Sequence, residues 1–395
     1  MAALGGRFAT MPRLGDVLDA MDRWYDPRWA ESWDAVGLVC GDRSSAVSRV
    51  SLAVDAVPAT VAQAIDTGAQ LLITHHPLLL AAVHGVPADD PKGALVARMI
   101  RGDVAHFVAH TNADAADPGV SDALAARIGL HDVRPLVVQS DAPLDKLVVF
   151  VPVAESEQVI DALAAAGAGR LGDYDRCAWT SDGTGTFRPG AGARPSIGEA
   201  GRVEHVAETR VEMVVPAARR ADVIAALRLA HPYEEPAFDL LAQVPLPTSR
   251  GTGRIGGLAA PMTLREFAAH VAAALPPTVW GVRASGDPDR AVSTVAVCGG
   301  SGGPFAADAE RAGADAFVTA DLKHHATLEA VTERGAGAMA LVDAAHWATE
   351  APWLDAVAAR LRERFGTSVE VQVSELVTDP WTLHAPSEES SASRT

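Results

Sequence analysis

The segment SLAVDAVPATVAQAIDTGAQLLITHHP, residues 51–77, contains two short apolar runs separated by a stretch of helical length. SLAVD (51–55) and QLLIT (70–74) have the length and composition of buried strands, and the helical stretch begins at Pro58. A strand, a helix and a second strand in this order predict a βαβ unit in a mostly parallel sheet. The alternation continues with a helical pattern over 92–102, an apolar run over 104–110 and a helix after Gly119.

Apolar strands alternate with helices again from about residue 250, with strands expected over 292–298, 315–319 and 338–343. GAQLLITHH (68–76) and GADAFVTAD (313–321) both contain Gly-Ala, then an apolar strand ending in Thr, then polar residues. AHFVAH (105–110) corresponds in the same way to AMALVD (338–343). These internal echoes predict two related α/β halves.

The region between the halves has a different pattern. Strands are expected over 143–151 and 205–216, and helices over 156–166 and 217–229. Residues 180–202 are dense in Gly and Pro, so we expect a loop there rather than a core element. This arrangement predicts a small inserted α+β domain.

The predicted division of the chain has four parts. A first α/β half covers 1–140, the inserted domain 141–246 and the second half 247–380. The tail, 381–395, ends in small and polar residues with nothing to bury, so we expect it to be disordered.

Composition excludes several classes of protein. The chain has 33 Lys and Arg against 50 Asp and Glu, a net charge of −17, which disfavours a nucleic-acid partner. Cys40, Cys177 and Cys298 are odd in number and far apart, which fits neither a disulfide framework nor a paired-cysteine zinc site. With no signal peptide or membrane span in the sequence, we expect a cytoplasmic protein that has no membrane partner.

Polar residues follow three of the predicted strands, at the sheet edge where open α/β proteins bind ligands. In ITHHP (73–77), His75 and His76 share one site only where the strand ends, because neighbouring side chains on a strand point to opposite faces. Pro77 keeps His76 extended, which lets the two imidazoles fan out. The alternative is a pair of unrelated surface or capping histidines.

The second cluster, HTNAD (110–114), brings Asp114 just past a buried strand, where a carboxylate can bridge two cations. Its alternative role is to cap the next helix. Asp117 and Ser121 stand nearer to that helix, so capping explains Asp114 less well. His110 is either a ligand or a donor that supports a ligand.

The third cluster is HWATE (346–350), in which His346 and Glu350 share one face of a helix at i,i+4 spacing. Alone, such a pair is most often an ordinary surface pair. Together, however, the three clusters supply three imidazoles and two carboxylates, a mixed set suited to zinc, manganese or iron. The candidate ligands are His75, His76, Asp114, His346 and Glu350.

At these clusters the sequence resembles the dinuclear-metal-centre hexameric family, the Ngg-one-interacting-factor-three-like proteins. Bacterial members are commonly labelled GTP cyclohydrolase one type two homologues. The resemblance runs from about Pro12 to Val373 and depends on six motifs in order. These are ESWDAVGL (31–38), ITHHP (73–77), HTNADAADPGVSDALA (110–125), GTFRPGAGARPSIGEAG (185–201) with HPYEEPAFDL (231–240), GADAFVTADLKHHATLEA (313–330) and DAAHWATE (343–350).

The resemblance implies the same five metal ligands and two divalent ions per subunit, with zinc expected first and manganese or iron as alternatives. It implies two related three-layer α/β halves that form one metal-binding domain, with an inserted ferredoxin-like domain of the PII or CutA type. A toroidal homohexamer, a trimer of dimers, is implied as the assembly.

The family pattern also implies that Asp321, Lys323 and His325 line the cleft, with His325 as the catalytic proton-transfer residue. Asp34 and Thr74 are expected to support the ligands. A Gly-rich run, CGGSGG, and Lys323 are candidates for holding an anion, although a Gly run after a strand is a weak signal.

Two functions remain open from the sequence. The first is a metal-dependent hydrolase acting on a nucleotide or a related small molecule, as the family label implies. The second is a non-enzymatic hexameric metal carrier, scaffold or regulator whose insert senses a small ligand. The polar turn HPYEEP (231–236) motivates the second, although prolines also simply fix the geometry of a turn.

Overall fold

The computed structural model describes residues 11–332 and 338–385, which form two compact units. Ser140–Thr248 make up one unit, and the segments before and after it make up the other. The larger unit is therefore assembled from both ends of the chain, and the smaller one interrupts it.

The first sheet of the larger unit has five strands. In spatial order they are β1 (Gly37–Cys40), β4 (Ala105–Val108), β3 (Leu71–Thr74), β2 (Arg49–Ala53) and β15 (Glu370–Val373). The four strands from β4 to β15 are parallel, and β1 pairs antiparallel with β4 at the edge. Every residue of β3 and β4 is buried, as continuous apolar runs in parallel sheets require.

The second sheet has six strands. In spatial order they are β11 (Val282–Ser285), β14 (Ala340–Ala344), β13 (Ala316–Ala320), β12 (Ala291–Val297), β10 (Pro247–Thr263) and β5 (His131–Ser140). Strands β14, β13 and β12 are parallel, and β11 and β10 run antiparallel to their neighbours. An antiparallel edge strand followed by three parallel strands thus occurs in both sheets, which is the arrangement expected of related halves.

Helices cover both faces of these sheets. Their bounds are α1 (Leu14–Trp24), α2 (Pro58–Asp66), α3 (Pro91–Arg101), α4 (Thr111–Ala115), α5 (Val120–Ile128), α8 (Leu264–Ala274), α9 (Ala306–Arg311), α10 (His324–Thr332) and α11 (His346–Phe365). One apolar core joins the inner faces of the two sheets through α1, α5, α8 and α11. Separate cores lie under α2 and α3 on the first sheet and under α9 on the second. The larger unit is therefore a layered α/β structure.

The smaller unit has its own four-stranded antiparallel sheet. Its elements, in chain order, are β6 (Leu144–Pro152), α6 (Ser156–Ala165), β7 (Ala178–Phe187), β8 (Glu204–Pro216), α7 (Arg220–Ala230) and β9 (Phe238–Ala242). The spatial order of the strands is β7-β8-β6-β9. Both helices pack on an apolar core that includes Leu147, Val159, Val211 and Leu227.

The prediction of a loop over 180–202 was wrong for its first part. Residues 178–187 form β7, which pairs with β8 from Ala178↔Met213 to Phe187↔Glu204. The strand is almost wholly exposed and rich in Thr, Ser and Gly, so it lacks the apolar signal of a buried strand. It is an edge strand held by the backbone of β8.

The tail and the absence of a membrane span were also predicted from the sequence. Trp381, the first residue of the tail predicted to be disordered, contacts the ring of Trp280 with centroids 5.8 Å apart. The last ten residues of that tail lie outside the described part of the chain. Within the described ranges, none of the helices has the length and apolar character needed to cross a lipid bilayer.

Candidate metal centre

The carboxyl ends of four parallel strands carry the polar side chains of the site. His75 and His76 follow β3, and β4 leads through His110 into α4. In the second sheet Asp321 follows β13, and α11 begins two residues past the end of β14. These edges of the two sheets face one cluster of side chains. The distance of 3.3 Å between His76 Nε2 and His346 Nε2 shows how close they come.

His75 is completely buried and held from two sides. Its Nδ1–H donates to the backbone oxygen of Ala109 at 2.9 Å, and the Trp353 ring lies 5.3 Å from its ring centre. In the neutral ring this fixes the tautomer that has its lone pair on Nε2. That atom lies 3.5 Å from Glu350 Oε1 and 3.7 Å from Asp114 Oδ1.

His76 is oriented by a carboxylate that the sequence analysis missed. Its Nδ1–H donates to Asp55 Oδ1 at 2.7 Å, and the hydroxyl of Thr378 donates to the other oxygen of Asp55. The remaining nitrogen, Nε2, lies 3.0 Å from Glu350 Oε2. Asp55 lies two residues past the end of β2, so the strand-end rule that singled out the other residues was signal enough to find it.

His346 repeats this arrangement from the other sheet. Its Nδ1 lies 2.6 Å from Asp321 Oδ2, and its Nε2 lies 3.0 Å from Glu350 Oε1. Asp321 has a φ of 56°, a left-handed conformation that is uncommon outside glycine. Such strained positions cluster at functional sites, and here the strain aims a carboxylate at an imidazole.

Glu350 is the centre of the cluster because it approaches three imidazoles. Burial alone would raise the pKa of this carboxyl, but His76, His75 and His346 together hold it well below its usual range. Burial alone would lower the pKa values of His76 and His346. The Glu350 carboxylate outweighs it, and the pKa rises to about 11 for His76 and to about 9 for His346. Without a cation, the site therefore retains protons at neutral pH.

Three buried atoms of the cluster have no hydrogen-bond partner among the described residues: His75 Nε2, Asp114 Oδ1 and Glu350 Oε2. The last is close to His76 Nε2 but does not meet it in hydrogen-bonding geometry. Buried polar atoms are seldom left unsatisfied, and each of these is a metal-ligating atom. The residues present therefore fit a cation that accepts their lone pairs.

His110 is a fourth imidazole at the same place. Its ring centre lies 5.1 Å from that of His75, and its Nδ1–H donates to Asp34 Oδ1 at 2.8 Å. Burial would raise the pKa of Asp34, but the bonds from His110 and Thr111 hold it far below its usual range. Potential ligand atoms of His75, His76 and His110 lie within 4.8 Å of one another, as do those of His76, His346 and Glu350.

The Gly-rich run after β12 packs against this cluster. A Cβ on Gly300, which has a φ of +63°, would lie 2.3 Å from Glu350 Oε1 and 3.0 Å from His346 Nε2. The N–H groups of Gly299, Gly300 and Gly302 donate to the hydroxyls of Ser121, Thr349 and Thr319. These three amides are thus already engaged, so the structure supports close packing of the run, and its candidate role in holding an anion stays a prediction.

The structure brings together the five side chains that the sequence singled out, but it does not bring His325 to them. His325 is exposed near the start of α10, and its ring lies 5.2 Å from that of His324. Lys323 is exposed as well, whereas Asp321 lines the cleft. Thr74 bonds to the backbone oxygen of His76, so it supports the chain rather than a ligand imidazole. The catalytic role of His325 stays a prediction.

Comparison with known proteins gives the family. The pattern of the family described as Duf34/NIF3 (NGG1p interacting factor 3) matches residues 12–380. A Mycobacterium tuberculosis relative named GTP cyclohydrolase 1 type 2 homolog is 54% identical over 372 residues, 94% of this chain and 97% of its own. A Bacillus subtilis relative of the same name is 37% identical over 372 residues, 93% of this chain and 97% of its own.

Solved structures similar to this chain cover nearly its whole length. A Bacillus cereus protein related to NIF3 is 35% identical, with a TM-score of 0.66 over 95% of this chain and 100% of that one. A Staphylococcus aureus protein is 27% identical, with a TM-score of 0.74 over the same shares. The chain belongs to the Duf34/NIF3 family.

Proposed function

We propose that this chain binds two divalent metal ions and hydrolyses a nucleotide or a related small molecule. The observation that carries the proposal is the shared orientation of the imidazoles. Each of His75, His76 and His346 has its Nδ1 occupied by an oxygen atom, which leaves Nε2 directed into the cluster. A partner that fixes the tautomer and orients the ring is the usual companion of a metal-ligating histidine.

The ligand set supports the number and kind of ions. His75, His76, Asp114, His346 and Glu350 offer three imidazoles and two carboxylates, which suits zinc first, with manganese or iron as alternatives. Five ligands are more than one tetrahedral zinc site uses, and two carboxylates can be shared between ions. When bound, such a pair supplies Lewis acidity and a water activated near neutral pH.

The protein's own groups hold the site and move the proton. Asp55 and Asp321 keep the Nδ1 protons of His76 and His346 in place, so that both rings stay aimed inward. His110 lines the cleft with its Nδ1–H given to Asp34, so its Nε2 is an imidazole nitrogen well placed to accept a proton from water or substrate. Because His110 lines the cleft and His325 is not among the described residues that do, we assign the proton-transfer role to His110 first.

The aromatic lining of the cleft favours a planar substrate. A cavity of about 960 Å³ opens over the cluster, and tryptophans are prominent in its lining: Trp29, Trp33, Trp280, Trp347 and Trp381. The chain has eight tryptophans in all, so more than half of them surround this one cleft. Aromatic rings bind flat heterocycles by offset or edge contacts, which supports a nucleobase or a similar ring as substrate.

We also propose that the smaller unit is of the ferredoxin-like kind. Its element order β-α-β-β-α-β is that of this motif, and both helices cover one face of its sheet. The toroidal hexamer stays a prediction from the family, to be checked by light scattering against the chain mass of 41.0 kDa.

Turnover by the metal-loaded protein tests the function. The full chain is incubated with GTP and with a panel of phosphoesters, beside a variant that carries both His76→Ala and Asp114→Ala. Hydrolysis by the natural chain that this variant lacks supports the proposal. Equal rates for the two proteins would contradict it and would favour the non-enzymatic alternative, a metal carrier or regulator.

A further inference from the structure

Two motifs of the insert that the metal cleft does not use meet around a second cavity. GTFRPGAGARPSIGEAG (185–201) and the turn HPYEEP (231–236) both contribute to its lining, together with residues of β6, β7 and β8. The cavity measures about 630 Å³, within the usual range for small-molecule sites of about 300–1,000 Å³. Its residues all belong to the smaller unit, so it is separate from the metal cleft.

The walls of this cavity are apolar and aromatic. Phe150, Phe187 and Ile197 line it, and the Phe187 and Tyr233 rings are 5.6 Å apart at an angle of 59°. A buried histidine fixes the turn that carries the tyrosine: His231 Nε2–H donates to the backbone oxygen of Phe150, and its Nδ1 accepts from the Tyr233 N–H. The aromatic surface is thus held in place before any ligand arrives.

A buried carboxylate gives the cavity its chemistry. Glu208 is only 8% exposed, and its Oε1 accepts from the Tyr233 hydroxyl at 2.8 Å. Its Oε2 lies over Gly185, so closely that a Cβ there would be 2.0 Å away. A side chain at 185 would therefore displace the carboxylate, and glycine leaves it room to face the cavity.

Glu208 has no cationic partner among the described residues. Arg210, the basic residue in the lining, is paired with Glu212, with Nη2 and Oε1 2.9 Å apart. Burial lowers the pKa of His231, which keeps that imidazole neutral. Asp182, Glu234 and Glu235 add further negative charge to the lining. A buried carboxylate is costly unless it is paired, and the bond from the Tyr233 hydroxyl brings no positive charge to it.

We propose that this cavity binds a small organic cation with a planar or apolar body, its ammonium or guanidinium group paired with Glu208. The aromatic rings add cation–π attraction to the same ligand. The proposal does not depend on the metal centre or on hydrolysis, because all the residues it uses belong to the smaller unit.

Calorimetry with the full chain and matched probes tests this site. Tryptamine is cationic, indole-3-ethanol is its neutral counterpart and indole-3-acetate its anionic one, and agmatine offers a guanidinium without a ring. We expect tryptamine to bind at least about tenfold more tightly than indole-3-ethanol, since hydrogen bonds to charged groups contribute the most. Indole-3-acetate is expected not to bind.

Two variants and one control locate the binding. Glu208→Gln keeps the shape and an acceptor for Tyr233 but removes the charge, so tryptamine should bind about tenfold more weakly. Phe187→Leu keeps an apolar wall without the ring face and should weaken tryptamine about threefold. Glu157→Gln removes a carboxylate from the exposed face of α6 in the same unit and should change nothing.

Three results would overturn the proposal. The first is equal binding of the charged and neutral probes, and the second is tryptamine affinity that survives Glu208→Gln. The third is no binding of either tryptamine or agmatine at about 1 mM. In that case the two motifs serve only to order the insert.

Discussion

At the scale of single residues, the site is defined by which nitrogen each histidine presents. His75, His76 and His346 give Nδ1 to an oxygen and keep Nε2 for the cluster, so three rings from two sheets act alike. The carboxylate of Glu350 is near all three. We therefore expect removal of the central carboxylate to weaken metal binding more than removal of a carboxylate that only orients an imidazole.

We expect Glu350→Gln to abolish metal uptake. The change removes the one charge that faces three imidazoles, and it also lowers the pKa of His76 and His346, because Glu350 raises both. Elemental analysis of the purified variant measures the first effect. The control is Glu363→Gln, an exposed residue of the same helix, which should retain the full metal content. Metal retained by the Glu350 variant would exclude this residue as a ligand.

Asp55→Asn tests an orienting contact. The variant frees His76 Nδ1 from its carboxylate while leaving the ligand atom unchanged, so affinity should fall about 10–100-fold without complete loss of binding. Competition with a chromophoric chelator gives the affinity. Asp66→Asn, on the exposed side of α2, is the matched control. An unchanged affinity for the Asp55 variant would mean that the carboxylate does not support a ligand.

Proton release should accompany metal binding. His76 and His346 have pKa values raised from 6.5 to about 11 and about 9, so in the metal-free protein both are protonated at neutral pH. A cation must displace these protons, so its affinity should rise with pH until both imidazoles have lost them, at about 11. Calorimetry in two buffers of different ionisation enthalpy counts the protons. Identical heats in both buffers would contradict this expectation.

The ligand candidates could be picked out from the sequence alone. Each of them either follows an apolar strand or lies on the same helix face as a candidate that follows one. It did not distinguish ligand from support at His110, since that depends on where Asp34 lies, far away in the chain. For His325 only the family pattern was available, and the turn that leads into α10 leaves this residue exposed.

At the scale of elements, the tight approach of the Gly-rich run to α11 explains the glycine at position 300. Gly300→Ala combines a left-handed φ, which costs about 1–2 kcal/mol, with a methyl group at the carboxylate of Glu350. We expect lower stability in urea and weaker metal binding. Gly303→Ala is the control, because its nearest neighbour would lie 3.7 Å from the new Cβ. A Gly300 variant with natural metal affinity would mean that the run can move aside.

Elements with a clear apolar period could be predicted from the sequence, and exposed edge elements could not. Strands β2, β3, β4, β12, β13 and β14 fall within a few residues of their predicted positions, because each is a short buried run. Strands β1, β7 and β11 lie at sheet edges and are mostly exposed or half-buried, so their composition is not that of a core. Their pairing comes from the neighbouring backbone.

At the scale of the whole molecule, the larger unit should fold without the insert. Strands β5 and β10, through which the chain enters and leaves the insert, are neighbours in one sheet, and the Asp141 N–H donates to Leu246 O at 3.1 Å. Replacing residues 142–245 by Asn-Gly gives a tight hairpin turn between them. The shortened chain should melt cooperatively and keep its metal content. An unfolded product would show that the larger unit depends on the insert.

Anomalous diffraction can locate the two cations that we expect the five scattered side chains to hold. Crystals of freshly purified protein are measured at the zinc, manganese and iron absorption edges. We predict two anomalous peaks per chain, both within bonding distance of the cluster formed by His75, His76, Asp114, His346 and Glu350. No peak at this cluster after incubation with all three metals, or peaks only elsewhere, would mean that these five side chains do not form a metal site.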